Sequence, residues 1–364
     1  MLNIHSFEWL KDHVLAGSAI IPGTYFVHLF KSAARAIDNQ RAWRLNSVEF
    51  KEILTVSEGR TTLRTSIRKD ANGWGIQIES RGMESWQSTV HAVALAVPSE
   101  AMPMASPHLS ELLRGKQEPL NVPGIYSSQL SSGLYHGTRF QKMRHAVQTP
   151  MGVLGVIADF EGHLKEQADR EVCLLDSCLQ LFRFVHGQTE PGSSGYLLTA
   201  FQNIDIAGIS WRDKQGIWCL AKRQQEVTGN HYSTDFVFFS EDGEPIGEIQ
   251  GARERGVGYT PNASKRLEVP VREGSVKEVG MDLVQMTELL KGVVGDFIGS
   301  EAAGILATDT LGVLGIDSFA SLELSLEIQS RLNSQTDLMA DVKPEFSLEE
   351  IAVRIMAKLG KAGV

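Results

Sequence analysis

Two segments, more than 160 positions apart, combine residue types that can move protons. In the first, His13 stands four positions before Gly17 and nine before Pro22. Histidine exchanges a proton near neutral pH, and glycine lets a bound molecule approach the backbone closely. Free N–H groups near a helix start, which Pro22 indicates, can polarise a carbonyl group. The pattern fits a general base beside a carbonyl-binding turn, or a histidine that only caps or fills the core.

The second segment carries a carboxyl group and an amide one helical turn apart, at Asp176 and Gln180. We expect Gln180 to hold the Asp176 carboxyl group by a hydrogen bond. A helix predicted over 174–186 places Asp176 near its N-terminus, where the helix dipole lowers a carboxyl pKa. A general acid must keep its proton, so burial against Leu174 and Leu175 would have to raise that pKa. The structural alternative is a charge that only stabilises the helix start.

A third candidate is Ser318, which follows Asp317 and opens a predicted amphipathic helix over 318–332. Such a serine can be modified, or it can simply cap the helix. Further helices are predicted over 281–298 and 347–359, so this region reads as a small helical bundle. Residues 276–360 hold 14 acidic and 6 basic side chains, whereas the whole chain has a net charge of −9. Acidity is therefore concentrated in this one unit, as expected of a module that docks on basic partners.

The elements before this bundle predict an α+β fold of two similar halves. At 364 residues the chain exceeds one ordinary core. Each half reads as one long buried helix with antiparallel strands. The predicted helices are 23–37 and 174–186; the predicted strands are 61–68, 74–80, 89–97, 151–160, 217–224 and the hairpin 234–255; residues 98–120 are predicted to be a loop.

Three ordered motifs within residues 5–258 resemble the dehydratase domains of polyketide and fatty acid synthases. They are similar to the HxxxGxxxxP, YGPxFQ and D-x-x-x-Q/H motifs of that family. The matching residues are His13, Gly17 and Pro22 in the first, Tyr135, Gly137, Phe140 and Gln141 in the second, and Asp176 and Gln180 in the third.

The resemblance implies a double hotdog, in which two antiparallel sheets each wrap around a long helix. It implies that residues 1–258 form this domain, with the first hotdog at about 1–100 and the second at about 121–258. The histidine of the first hotdog and the aspartate of the second would then face one tunnel. A linker at 259–275 and a carrier domain at 276–360 would follow.

The same resemblance implies elimination of water from a 3-hydroxyacyl thioester without a metal. His13 would take a proton from the carbon beside the thioester, whose carbonyl the Gly17 N–H would bind. Asp176, oriented by Gln180, would protonate the departing 3-hydroxyl group. Tyr135, Gly137 and Pro22 are expected to complete the tunnel.

The segment Leu314-Gly315-Ile316-Asp317-Ser318 resembles the GxDS attachment site of acyl carrier proteins. This implies 4′-phosphopantetheine on Ser318, attached by a phosphopantetheinyl transferase. The substrate would be a carrier-bound polyketide intermediate, and other polyketide synthase domains would be partners. A homodimer is possible, since such domains often pair.

Two alternatives stay open. A product-template or cyclase-like double hotdog also uses a His/Asp pair, but guides ring closure of a poly-β-ketone. A degenerate dehydratase could instead serve as an inactive scaffold for the carrier, which the altered motif at 135–141 would favour, since it lacks the family's proline.

Composition excludes several other classes of protein. No basic stripe indicates nucleic-acid binding, and no run of about 18–20 apolar residues indicates a membrane span. The N-terminus does not resemble a signal peptide. The three cysteines form no metal-binding or disulfide pattern, so we expect a cytoplasmic protein.

Overall fold

The computed structural model divides the chain into two compact units. The first is formed by Met1–Leu15 with Ala19–Gly256, and the second contains Val257–Val364. None of the helices in the described part of the chain has the length and hydropathy needed to span a bilayer. The structure describes residues 2–15, 17–56, 59–81, 88–99, 108–114, 117–129, 134–159, 162–164, 166–187, 195–206, 209, 211, 216–224, 231–240, 242–257, 281–298, 302–316, 318–332, 338 and 341–361.

The elements of the first unit alternate between strands and a few helices, after a short 3-10 helix at Glu8–Asp12. The strands are β1 (His13–Leu15), β2 (Ser18–Ala19), β3 (Trp43–Phe50), β4 (Thr62–Asp70), β5 (Gly73–Arg81), β6 (Ser88–Pro98), β7 (Glu118–Pro119), β8 (Leu134–His136), β9 (Met143–Thr149), β10 (Gly152–Ile157), β11 (Gly195–Asp205), β12 (Ile217–Arg223), β13 (His231–Phe239) and β14 (Pro245–Val257). The helices are α1 (Gly23–Ile37), α2 (Leu109–Leu112), α3 (Val122–Gln129), α4 (Gln167–Leu179) and α5 (Phe182–Val185).

The two long helices, α1 and α4, lie at the centre of the unit. Helix α1 has the predicted bounds, and it buries Phe26, Phe30 and Ala33 against strands β3 to β6. Helix α4 packs on β10 and also on α1. Because both helices contribute to one hydrophobic core, each half of the unit holds the other in place.

The predicted helix over 174–186 is wrong in its bounds. Helix α4 begins at Gln167 and ends at Leu179, and the short helix α5 follows. The first turns were missed because they carry Arg170 and Glu171, which break the apolar pattern although both are buried. Arg170 donates to the Trp211 backbone oxygen at 2.8 Å, and Glu171 pairs with His28 and Lys31 of α1. Hydrogen-bond and ion-pair partners inside the protein therefore stabilise two charged side chains that the sequence pattern predicted to be exposed to solvent.

The predicted α+β arrangement is confirmed, with antiparallel pairing in the strand registers that are described. The two expected sheets are joined into one, because β3 of the first half pairs with β11 of the second. The predicted loop at 98–120 is partly wrong, since α2 and β7 form within it. Strand order in the large sheet is β4-β5-β6-β3-β11-β14-β13-β12-β10-β9-β7.

A separate small sheet positions the residues with candidate chemistry. Its strand order is β2-β1-β8, and β1 pairs with β8 in antiparallel register. His13 lies directly opposite His136 in this pairing. The small sheet therefore brings together two segments that are more than 120 positions apart in the chain.

The second unit contains three long helices, α6 (Leu283–Ile298), α7 (Ser318–Arg331) and α8 (Leu348–Lys361). Their bounds are close to those predicted. The three helices share one buried apolar cluster, which includes Leu290, Leu324 and Ile351. The predicted linker at 259–275 lies outside the described residues.

Candidate active site

His13 is held in one tautomer by the backbone. It is 6% exposed, and its Nδ1 lies 3.0 Å from the backbone oxygen of Ile20. A carbonyl oxygen can only accept, so Nδ1 carries the hydrogen and Nε2 keeps its lone pair. Burial lowers the pKa of His13, while the Asp176 charge and the Ile20 bond partly oppose this effect. The neutral imidazole therefore presents Nε2 as a base.

Asp176 lies in the last turn of α4, not at a helix N-terminus as the sequence predicted. The C-terminal end of a helix disfavours a negative charge, so the dipole of α4 does not stabilise the carboxylate form of Asp176. This position is compatible with a role as a general acid, whereas a helix N-terminus would have opposed it. Burial raises the pKa of Asp176, although the charge of His13 and a hydrogen bond from Gln180 act in the opposite direction. The environment thus shifts this carboxyl group toward its protonated form.

Gln180 follows α4 and orients the Asp176 carboxyl group. Its Nε2 donates to Oδ2 of Asp176 at 2.9 Å and to the backbone oxygen of Phe140 at 3.1 Å. Because Oδ2 is occupied as an acceptor, Oδ1 is the oxygen that can carry a transferable proton. Ser177 also donates to the Phe140 oxygen, at 2.7 Å, which fixes this segment against the end of α4.

His136 is a member of the site that the sequence analysis missed. It is 5% exposed, its Nε2 lies 3.6 Å from Oδ2 of Asp176, and its ring centroid lies 5.1 Å from that of His13. Burial, together with the charges of His13 and Arg183, holds the pKa of His136 well below its ordinary value. The sequence does contain a signal for this residue. When the YGPxFQ motif is aligned on Gly137 and Gln141, the residue directly before the glycine is His136, not Tyr135.

The expected role of Tyr135 in the tunnel is corrected by this geometry. Successive side chains of a strand point to opposite faces. In β8, Leu134 and His136 are buried, whereas Tyr135 between them is 41% exposed. The tyrosine therefore points away from the cluster that His136 joins.

Gly137 does not line open space but gives room to Asp12, the residue before His13. A Cβ atom at position 137 would lie 2.3 Å from Oδ1 of Asp12. The Gly137 N–H donates to the Asp12 backbone oxygen at 2.7 Å. Asp12 Oδ2 also accepts from the backbone N–H of Arg139 at 3.1 Å and from its guanidinium at 3.2 Å. These contacts bind the segment of His13 to the segment of His136.

The remaining predicted residues lie as follows. Gly17 is exposed and has φ of +85°, a conformation that favours glycine. Pro22 is buried and immediately precedes α1. Ser318 is the first residue of α7, and Asp317 lies outside the described residues.

The geometry therefore assembles three groups in one small volume. One ring nitrogen each from His13 and His136, and one carboxylate oxygen of Asp176, lie within 4.8 Å of one another. A neutral imidazole and a protonated carboxyl group can remove one proton and deliver another to the same bound molecule. The same three groups are also of the types that bind transition metals.

The family of the first unit follows from its matches to known domains. Residues 1–81 match the family described as "Polyketide synthase dehydratase domain". Residues 104–259 match the family described as "Polyketide synthase dehydratase N-terminal domain". This part of the chain belongs to the dehydratase domains of polyketide synthases.

Similar curated proteins are large synthases. Over 152 residues, 40% of this chain, it is 26% identical to a phenolphthiocerol/phthiocerol polyketide synthase of Mycobacterium tuberculosis. Over 162 residues, 41% of the chain, it is 24% identical to the highly reducing polyketide synthase pkhB of Emericella nidulans. The matches span only 7% and 6% of the lengths of those two proteins.

Solved structures show the same fold. The dehydratase domain from the CurF module of curacin polyketide synthase superposes with a TM-score of 0.61 at 19% identity, covering 70% of this chain and 91% of that domain. The dehydratase domain of PpsC from Mycobacterium tuberculosis, solved in complex with C12:1-CoA, gives a TM-score of 0.58 at 18% identity with the same coverages. The fold of the first unit is therefore a dehydratase double hotdog.

Proposed function

We propose that the first unit eliminates water from a 3-hydroxyacyl thioester and releases a 2,3-unsaturated acyl thioester. The observation that carries this proposal is the pairing of His13, whose Nε2 is left as the basic nitrogen, with the part-buried Asp176 carboxyl group, a ring nitrogen and a carboxylate oxygen lying within 4.8 Å of each other. Among solved relatives, two structures of the CurK dehydratase are inactive mutants, one with aspartate changed to asparagine and one with histidine changed to phenylalanine. Loss of activity on changing these two residue types is what this assignment expects.

The proposed step balances in protons and electrons. His13 Nε2 takes the proton from C2, which is acidic because the adjacent thioester carbonyl delocalises the electron pair. That pair forms the C2–C3 double bond as the C3–O bond breaks, and Asp176 Oδ1 gives its proton to the leaving hydroxyl group. Water departs, leaving a protonated imidazole and a carboxylate that attract each other. Return of the proton from His13 to Asp176 restores the starting state.

Gln180 and His136 have positioning roles in this step. Gln180 occupies Oδ2 of Asp176, so the acid proton is directed to Oδ1. His136 stays neutral beside the acid, because burial disfavours its cation. A cation at this place would draw the proton off Asp176 before the substrate arrived. A backbone N–H near Gly17 is the proposed donor to the thioester carbonyl.

We also propose that the second unit is an acyl carrier that presents the substrate. Support comes from the three helices with a common apolar cluster, and from Ser318 at the start of α7 in a GxDS-like segment. A thioester on 4′-phosphopantetheine at Ser318 would make the encounter with the first unit effectively intramolecular. The partners would be a phosphopantetheinyl transferase and other polyketide synthase domains.

Turnover of two substrate classes tests the reaction. The chain is incubated with a 3-hydroxyacyl-pantetheine thioester and, separately, with a poly-β-ketone thioester. The proposal expects the first to lose the mass of one water and the second to remain uncyclised. Cyclisation of the poly-β-ketone would indicate the product-template alternative, and inertness toward both would indicate a scaffold.

Mass spectrometry tests the carrier. Coenzyme A and a phosphopantetheinyl transferase should add one pantetheine arm to the chain, and the Ser318→Ala variant should gain nothing. No gain in the unaltered chain, or the same gain in Ser318→Ala, would refute the carrier assignment.

A further inference from the structure

The proposed elimination uses one imidazole and one carboxyl group, yet the site holds a second buried imidazole at His136. Two histidines and one carboxylate with an open position form a known donor set of zinc and other transition-metal sites. We propose that His13, His136 and Asp176 bind Zn²⁺, and that the metal inhibits the site instead of serving it. The species that the site would bind is therefore a divalent transition-metal ion that prefers imidazole ligands.

The distances leave little to rearrange. Ligand atoms at 2.0–2.2 Å from a tetrahedral zinc ion are about 3.4 Å apart. His136 Nε2 and Asp176 Oδ2 are 3.6 Å apart, which is close to that value. The three donor atoms lie within 4.8 Å of one another, so no pair has to approach by more than about 1.4 Å to reach the spacing of a zinc site.

Supporting hydrogen bonds already hold two of the three ligands. Histidines that bind metals usually donate their other N–H to a carbonyl or carboxylate oxygen, which fixes the ring. His13 has such a bond, from Nδ1 to the Ile20 oxygen, so Nε2 is the nitrogen left to bind a metal. Asp176 is held by Gln180 in the way that ligating carboxylates are commonly held.

Inhibition follows from which lone pairs the metal would occupy. A zinc ion on His13 Nε2 occupies the lone pair of the proposed base, and its positive charge keeps the Asp176 carboxyl group ionised, so that no acid proton is available. This inhibitory effect rests on the proposed function. The binding of metal does not, so the two can be tested separately.

Cobalt and zinc titrations test the site in the full chain without an affinity tag, after treatment with EDTA and dialysis. We expect one Co²⁺ per chain, with the visible absorption of a four- or five-coordinate site, and its displacement by Zn²⁺. No thiolate charge-transfer band is expected, because no cysteine is among the ligands.

His136→Phe should weaken binding by more than about tenfold, whereas His145→Phe, on the exposed side of β9, should not. Asp176→Asn is the second variant, used if His136→Phe does not fold by circular dichroism.

Several results would overturn the proposal. These are a thiolate band, a weak six-coordinate spectrum, or unchanged binding in the cluster variants. For inhibition, Zn²⁺ should lower dehydration and EDTA should restore it, so activation by Zn²⁺ or indifference to it would contradict the inhibitory role. A chain that binds Co²⁺ as expected but never dehydrates would support the metal site and refute the proposed function.

Discussion

Nε2 of Gln180 lies 2.9 Å from Oδ2 of Asp176 and 3.1 Å from the backbone oxygen of Phe140. One amide thus holds the acid and anchors it to the segment that follows His136. Replacement by leucine keeps the volume but removes both donors. We expect Gln180→Leu to lower kcat roughly tenfold with little change in KM, because the lost bonds orient the acid without touching the substrate.

The matched control is Gln77→Leu, on β5, whose amide contacts Glu79 away from the cluster. Steady-state kinetics of both variants check the prediction. Equal kcat values for Gln180→Leu and the unaltered chain would show that Asp176 needs no such support.

Trp9 connects the segment before His13 to the helix that carries Asp176. Its Nε1 donates to Oδ1 of Asp169 at 2.8 Å, and the indole is buried. Trp9→Phe should lower the free energy of unfolding by about 2 kcal/mol, the usual range for a hydrogen bond to a charged group. It should also lower turnover, since the relative positions of His13 and Asp176 depend on this link.

Trp43→Phe separates the two effects. Trp43 Nε1 donates to the backbone oxygen of Asp38 after the end of α1, at 3.0 Å. Urea unfolding should detect a loss of about 1 kcal/mol in this control, with turnover preserved. If both variants keep full turnover, the link from Trp9 to Asp169 has no part in positioning the site.

Gly137 is predicted to tolerate no side chain. A methyl group there would meet Oδ1 of Asp12 at 2.3 Å, so the strands of His13 and His136 would have to separate. Gly137→Ala should destabilise the chain by about 1–3 kcal/mol, as overpacking does, and should reduce turnover. Gly75→Ala is the control, because a Cβ atom there meets the Arg68 oxygen at an ordinary 3.7 Å. Thermal unfolding that ranks the two alanine variants equally would contradict this account of the glycine.

The ion pair between Lys31 of α1 and Glu171 of α4 should make stability depend on pH. Burial alone would raise the pKa of Glu171, but the hydrogen bond from His28 and the charge of Lys31 outweigh it and lower the pKa to about 2. The ordinary value is 4.5, so this stabilisation is present above pH 4.5 and is lost as the pH falls from 4.5 toward 2. Its full size is about 3 kcal/mol.

Urea unfolding of Glu171→Gln checks this prediction. The variant should be less stable than the unaltered chain at pH 6, with a difference that shrinks below pH 4.5. Glu49→Gln, whose pair with Lys51 is half-exposed, should change stability by less than about 1 kcal/mol at either pH. A constant difference between Glu171→Gln and the unaltered chain would show that Glu171 is not held ionised by its partners.

The parts of the fold that could be predicted are those with an uninterrupted local pattern. Helix α1 repeats apolar residues at helical spacing, and the β13–β14 hairpin turns at Asp242-Gly243. Helix α4 was misjudged because Arg170 and Glu171 are buried polar residues, and their partners are distant in the chain. Joining of the two sheets through β3 and β11 is likewise a long-range pairing that no local pattern encodes.

The residues of the site likewise divide into those that a local motif reveals and those that depend on the fold. His13, Asp176 and Gln180 were found by motif spacing, and the structure brings them together. His136 was missed because Tyr135 was matched to the motif's tyrosine, although strand alternation buries only one of two adjacent residues. The favourable placement of Asp176 at the end of α4 also depends on helix bounds that the pattern misjudged.

Whether His13 and Asp176 carry out the elimination is tested by turnover of a 3-hydroxyacyl-pantetheine thioester by His13→Phe and by Asp176→Asn, with His145→Phe as the folded control. Mass spectrometry of the acyl group reports the loss of water whatever its chain length. We expect each of the first two variants to lose about 10²–10⁴-fold in rate while the control keeps its activity. Dehydration at the unaltered rate by either His13→Phe or Asp176→Asn would contradict this expectation.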